Sequence, residues 1–135
     1  MILIDTSAWI EYFRATGSAA AVEVRRLLSS PERVVICEPV AMEILAGALD
    51  DNRYAKLERL VNGLPSLRID DAVDFRSAAT IYRTARRAGQ AIRSMNDCLI
   101  AAVSIRYGAT IVHRDADFEA IAAVTGVDAR YFRGP

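Results

Sequence analysis

Histidine and cysteine are scarce in this chain, with one of the first, His113, and two of the second, Cys37 and Cys98. That excludes the His/Cys clusters that hold zinc and the cysteine framework of a stapled secreted domain. The two thiols read as reduced and buried. No uncharged apolar run approaches the ~18 residues needed to cross a bilayer, so no membrane association is expected. The first residues, Met1-Ile2-Leu3-Ile4-Asp5, lack a basic leader and carry an acid at position five, which reads as a cytoplasmic protein rather than a secreted one. Net charge is missing too: 17 basic residues balance 17 acidic ones. A polycation is excluded, whereas a local basic patch is not. Lysine is reduced to Lys56 alone, and all other basic residues are arginine, the better bidentate ligand for phosphate. Repeats, low-complexity tracts and dividing linkers are also lacking, so residues 1–135 are expected to form a single domain.

What the chain has is a series of short apolar runs separated by helical patterns. Ile2-Leu3-Ile4, Val34-Val35-Ile36-Cys37 and Thr110-Ile111-Val112-His113 are continuous rather than alternating, as in strands buried on both faces of a parallel sheet. Weaker runs lie at Ser66 to Ile69, after Pro65, and at Asp128 to Phe132. Helical patterns fill the gaps: Ser18 to Leu28, Pro39 to Leu49, Arg53 to Val61, Ala72 to Ala88, Asn96 to Tyr107 and Ala116 to Val124. The alternation predicts an α/β fold with a mainly parallel, about five-stranded sheet.

Ligands of such sheets bind beyond the carboxyl ends of the strands. Asp5 follows the first strand, and Asp115 and Asp117 follow the fourth. Asp97 opens the helix before the fourth strand, and Glu43 lies one turn into the helix after the second. Each position has a bland reading. Asp5 and Asp115 suit helix N-caps, and Asp97 suits the positive end of a helix dipole. Glu43 is harder to place, because it shares its helix face with Val40 and Gly47. Single roles do not explain why all five gather at one edge. Two carboxylates 4 Å apart repel by roughly 4 kcal/mol at an effective dielectric near 20. A domain holds only about 5–15 kcal/mol of stability in all. A cluster therefore needs protons or a cation. With oxygen donors alone, the cation is hard, Mg2+ or Mn2+, and such a site suits phosphodiester hydrolysis.

These segments resemble a known family. Ile4-Asp5-Thr6-Ser7, Glu43-Ile44-Leu45-Ala46-Gly47, Asn96-Asp97-Cys98-Leu99-Ile100-Ala101-Ala102 and His113-Arg114-Asp115-Ala116-Asp117-Phe118 follow the order and spacing of PIN domains, and more narrowly of VapC-type toxins of bacterial toxin–antitoxin pairs. The resemblance spans Met1 to about Phe118. It implies a three-layer α/β/α sandwich, a homodimer, and Mg2+-dependent endoribonuclease activity on structured RNA such as a tRNA or rRNA loop. It also implies inhibition by a cognate VapB-type antitoxin, in a heterotetramer or larger assembly. The family's acidic positions fall on Asp5, Glu43, Asp97 and Asp115, with Asp117 as a fifth, and Thr6, Ser7 and Asn96 in support. Thr6 or Ser7 is expected to hydrogen-bond the first Asp. His113 departs from the Thr or Ser common there, and a packed role beside the site is expected of it.

Arg76, Arg83, Arg86, Arg87 and Arg93 crowd one stretch. Ion pairs to Asp70, Asp71 or Asp74 would make Arg76 and Arg83 an ordinary solvated face. Arg93 stands four residues before Asp97, at the rim of the acids. Arg93, with Arg86 and Arg114, is the expected phosphate contact. Trp9, Tyr12 and Phe13 suit the core or a partner interface better than base stacking. Three rival readings remain, one of them structure-specific DNA cleavage as in related flap nucleases, whose longer chains carry helical arches that are missing here. A phosphoacceptor domain of this length requires a late lysine, which Lys56 cannot supply. A catalytically weak PIN-like RNA-binding protein would not need all four main acids.

Overall fold

The computed structural model describes residues 1–135. Five parallel strands order as β3-β2-β1-β4-β5: β1 (Ile2–Ile4), β2 (Val34–Cys37), β3 (Ser66–Leu67), β4 (Thr110–His113) and β5 (Ala129–Tyr131). In the centre, β1 pairs with β2 through Ile2↔Val34 and with β4 through Leu3↔Ile111. β1, β2 and the last three residues of β4 are buried, which is why their sequences run apolar without alternation.

Seven helices connect the strands: α1 (Thr6–Phe13), α2 (Ala19–Leu28), α3 (Glu38–Ala46), α4 (Asp51–Asn62), α5 (Asp74–Arg87), α6 (Met95–Tyr107) and α7 (Ala116–Thr125). From β1 the order runs outward through β2 to β3, then returns across the sheet to β4 and β5. Right-handed connections therefore put α1 to α4 on one face and α5 to α7 on the other, a three-layer sandwich. The chain reverses direction between β1 and β4, so the crevice for a ligand opens past Ile4 and His113.

α6 shows why the layers hold. Cys98 and the run Ile100 to Ser104 are buried on it, so it is a core helix rather than a surface one. Gly108, at φ 71°, ends it in the left-handed region and returns the chain directly into β4. Asp74 on α5 is buried and takes both Nε (2.9 Å) and Nη2 (2.7 Å) of Arg106 on α6, fastening the two helices.

The expected elements are present, with shifted ends. α3 starts at Glu38 and stops at Ala46, short of Leu49, and β3 keeps only two of the four residues expected. α1 was not among the helical patterns read from sequence. It buries Trp9 completely and leaves Phe13 partly exposed. No helix is long and apolar enough to cross a membrane.

Candidate active site

Asp5 leaves the sheet as β1 ends, its N–H still donating to the Val112 carbonyl at 2.9 Å. Its Oδ2 accepts from Ser7 N (2.9 Å) and Ser7 Oγ (2.5 Å), capping α1. Its Oδ1 is buried with no hydrogen-bond partner. One carboxylate thus satisfies both sequence readings, one oxygen capping the helix and the other free for a ligand. Burial pushes the Asp5 acid up to about 6 against the two Ser7 hydrogen bonds, and the charges of Glu43 and Asp115 add to the rise.

Glu43 projects from α3 toward α1 and α6. Its Oε1 accepts from Asn96 Nδ2 (2.9 Å) and Thr6 Oγ1 (3.2 Å). Of the two hydroxyls expected at Asp5, Ser7 is the one that bonds it, and Thr6 bonds Glu43 instead. Because Thr6 is the first residue of α1, its side chain leaves in a different direction from that of Ser7, one helical step of ~100° away. Ser7 Oγ also accepts from Arg114 N at 2.9 Å, so it ties the ends of β1 and β4 together.

Asp97, in the first turn of α6, Asp115, the N-cap of α7, and Asp117 bring one carboxylate oxygen each within 4.8 Å of one another. Asp5 and Glu43 flank this triad rather than joining it. Asp97 is buried, and its Oδ2 has no hydrogen-bond partner. Burial first, then the charges of Asp5 and Asp115, hold its acid far above the ordinary carboxylate range. Asp117 is clamped: Oδ2 accepts from the backbone N–H of Arg93 (3.1 Å) and of Ser94 (3.2 Å). The Arg93 guanidinium lies on the same acids, with Nη2 3.2 Å from Asp115 Oδ1 and Nε 3.4 Å from Asp117 Oδ1.

His113 is fully buried between the rings of Phe118 and Tyr131, centroids 5.1 and 5.0 Å away. Its Nδ1 accepts the Asp115 N–H at 3.2 Å, so the ring is the tautomer protonated on Nε2. Burial depresses its basicity to about 4. The expected packed role is what the geometry shows: a neutral ring that fixes the backbone of a site acid.

The arginines divide. Arg93 stands at the rim, as its position relative to Asp97 implied. Arg114 is held by Glu11 on α1, Nη1 to Oε1 at 2.6 Å. Arg86 is exposed over the Tyr82 ring, 5.7 Å from its centroid. The ion pairs expected for Arg76 and Arg83 do not form: Asp74 is taken by Arg106, and Arg76, Arg83, Arg86 and Arg87 pair with no acid. Sequence reasoning missed the Asp117 clamp on residues 93–94 and the Glu11–Arg114 pair. The alternating acids of Asp115-Ala116-Asp117 were the only signal for the first, and nothing signalled the second.

Beside Glu43 lies an open groove of 410 Å³ between α1, α3 and α4. Ile10, Phe13, Ile44, Leu49 and Leu57 make it apolar, and Arg14, Arg53 and Lys56 edge it with positive charge.

Comparison with known proteins gives the family and the fold. The model of the PIN domain matches residues 2–124. The chain is 72% identical over 134 residues to a protein of Mycobacterium tuberculosis (strain ATCC 25618 / H37Rv) named Ribonuclease VapC11, covering 98% of this chain and 100% of that one. Among solved structures, VapBC2 from Rickettsia felis, bound to a DNA fragment from its promoter, superposes with a TM-score of 0.75 at 17% identity, over 97% of this chain and 98% of that one. VapC20 of Mycobacterium tuberculosis, described as a sarcin–ricin loop cleaving toxin, gives 0.65 at 21%, over 95% and 99%. At those identities the structural likeness speaks for the fold.

Proposed function

The chain belongs to the PIN domain family, and from that premise we propose that it is the ribonuclease toxin of a toxin–antitoxin pair. In this reading it is a cytoplasmic, metal-dependent endoribonuclease that cuts structured RNA, with Mg2+, or Mn2+ in its place, held by Asp5, Glu43, Asp97 and Asp115 and with Asp117 as a fifth carboxylate. The relative at 72% identity bears the name of a ribonuclease, and the match runs the length of both chains.

The observation that carries the reading is a pair of orphaned oxygens. Asp5 Oδ1 and Asp97 Oδ2 are buried, belong to acids from different elements, and have no hydrogen-bond partner. A buried polar atom without a partner costs about 1–3 kcal/mol. Both residues sit in a cluster whose mutual charge raises their acidities' cost further. A hard cation at the triad would supply the missing partner for Asp97, with Asp5 beside it as a flanking acid, and the all-oxygen donor set suits Mg2+. Bound there, it would supply Lewis acidity toward a phosphodiester and a water of lowered pKa. The protein's share is to aim the acids: Ser7 fixes Asp5, Asn96 and Thr6 fix Glu43, and His113 fixes the backbone of Asp115. Arg93, Arg86 and Arg114 are the proposed contacts to RNA phosphates, the last through a charge that Glu11 partly neutralises.

A VapB-type antitoxin is the proposed partner, of a homodimer assembled into a heterotetramer or larger complex. The apolar groove suits a partner helix, and it opens beside Glu43, so an occupant could reach the acids. The test is to map new RNA 5′ ends after expressing the wild-type chain and, in parallel, Asp5→Asn. Discrete ends with the wild type that vanish in the variant are expected. The same ends from both chains would overturn the assignment.

A further inference from the structure

Arg93 is held differently from the other paired arginines near it. Arg106 meets Asp74 at 2.7 and 2.9 Å, and Arg114 meets Glu11 at 2.6 Å. These are the distances of tight charge-assisted bonds. Arg93 reaches Asp115 at 3.2 Å and Asp117 at 3.4 Å, and its side chain is 76% exposed. No aromatic ring stacks on the guanidinium. Its main chain, in contrast, is fixed, because Asp117 Oδ2 accepts the N–H of both Arg93 and Ser94. The side chain can leave while the loop stays in place.

The two acids it touches are two of the three whose oxygens converge within 4.8 Å. A guanidinium and a divalent cation on the same two carboxylates repel each other and compete for their lone pairs. We propose that Arg93 is an exchangeable counter-cation of the site: without metal its guanidinium neutralises Asp115 and Asp117, and cation entry displaces it to the rim, where it is free to bind an RNA phosphate. The inference rests on the cation-dependent reading above and adds to it a built-in competitor. By linkage, if the cation weakens the hold of Arg93 on the acids, Arg93 must weaken the hold of the acids on the cation by the same factor. A mostly exposed pair is a weak competitor, which sets the effect at about two- to fivefold in cation affinity.

The exchange gives Arg93→Ala two effects of opposite sign: tighter cation binding and weaker RNA binding. Loss of a nearby positive charge alone would also tighten cation binding, so release of the Arg93 Nε–H on cation entry is the mark of exchange. The experiment is a Mn2+ titration of the full chain, followed by the EPR signal of free Mn2+, for wild type, Arg93→Ala and Arg93→Lys. The expected result is about two- to fivefold tighter binding in Arg93→Ala, with Arg93→Lys between, because lysine keeps the charge but loses the fork. A second readout needs no variant. The Nε–H resonance of Arg93 in the NMR spectrum should lose its protection from water exchange as Mg2+ is added. Equal or weaker Mn2+ affinity in Arg93→Ala, beside a wild type that binds, overturns the exchange alone. No Mn2+ binding by any of the three chains overturns the cation-dependent reading and this inference with it.

Discussion

Asn96 Nδ2 donates to Glu43 Oε1 at 2.9 Å, bridging residues 53 apart in sequence. The next residue, Asp97, belongs to the carboxylate triad. Two consecutive residues of α6 therefore serve the two halves of the site, one by holding Glu43 and the other as an acid itself. The first turn of a helix suits this work, since its positive end faces the acids.

That bridge predicts the effect of removing it. Asn96→Ala leaves Glu43 with Thr6 alone, and loss of such an outer partner typically costs 10–100-fold in metal affinity or activity. Cleavage should fall by about that factor, with a far-ultraviolet circular dichroism spectrum like that of wild type. Undiminished cleavage would mean that Glu43 is placed by the packing of α3 and not by the amide.

The second prediction concerns pH without divalent cations. Asp5 titrates near 6 in the folded chain against an ordinary 3.8. Below about pH 4 it is protonated in both states and costs nothing. As pH rises from 4 to 6 the unfolded chain ionises first, so stability falls by up to about 3 kcal/mol and stays lower above 6. His113 has the opposite sign: near 4 when folded against 6.5. Its contribution is full above pH 6.5 and is lost, by up to about 3 kcal/mol, as pH falls toward 4. The two slopes oppose each other in one window. Urea denaturation across pH 4–7 should show Asp5→Asn gaining stability over wild type as pH rises, while keeping the cap on α1. A constant gap between the two chains would contradict the buried-acid assignment.

The order of the acids was legible because each follows a structural break that the sequence marks: the end of an apolar run or the start of a helical pattern. Their partners were not, because those depend on pairs far apart in sequence. Nothing near Thr6 says that its hydroxyl turns to Glu43, or near Asp117 that it holds the main chain of residues 93 and 94. β3 was read too long for a similar reason. The N–H of Ile69 bonds the Glu38 carboxylate (3.0 Å to Oε1), so the chain leaves the sheet after Leu67 despite an apolar residue that suits a strand. α1 was signalled only by Asp5 as an N-cap before Thr6, because eight residues apolar on several sides show no clean period.

A third prediction separates stability from chemistry. Asp74 is buried, and Arg106 supplies two of its bonds, while the third comes from the Asp70 N–H at 2.8 Å. Arg106→Leu strands that carboxylate, and stability should fall by about 3 kcal/mol. Asp74→Ala should cost less, because the Arg106 side chain is already 30% exposed and can turn to water. Thermal melts would rank the two. Cleavage below the melting transition should change little in either, since Asp74 faces α6 from α5 and touches none of the site acids.

The last prediction tests the groove against the acids. Phe13 lines it, stacks on the buried Trp9 ring at 5.6 Å, and is partly exposed at the end of α1. Leu49 and Leu57 line it from the α3–α4 side. Asp5, Asp97, Asp115 and Asp117 do not line the groove but Glu43 does, so cleavage by each variant without antitoxin is the control for an indirect effect on that acid. If an antitoxin helix lies there, an aromatic anchor in an apolar pocket should carry a large share of the binding, about 2 kcal/mol or more. Phe13→Ala should weaken antitoxin binding by roughly thirtyfold or more, measured by calorimetry with the proposed VapB-type antitoxin. Leu49→Asp should do the same by placing a charge on the apolar wall, and its high exposure means that the fold would tolerate it. Both variants should cleave RNA at the wild-type rate when alone, yet escape inhibition at antitoxin concentrations that silence the wild type. Inhibition unchanged in both would place the antitoxin on another surface, and the access to Glu43 that this groove offers would have no part in control.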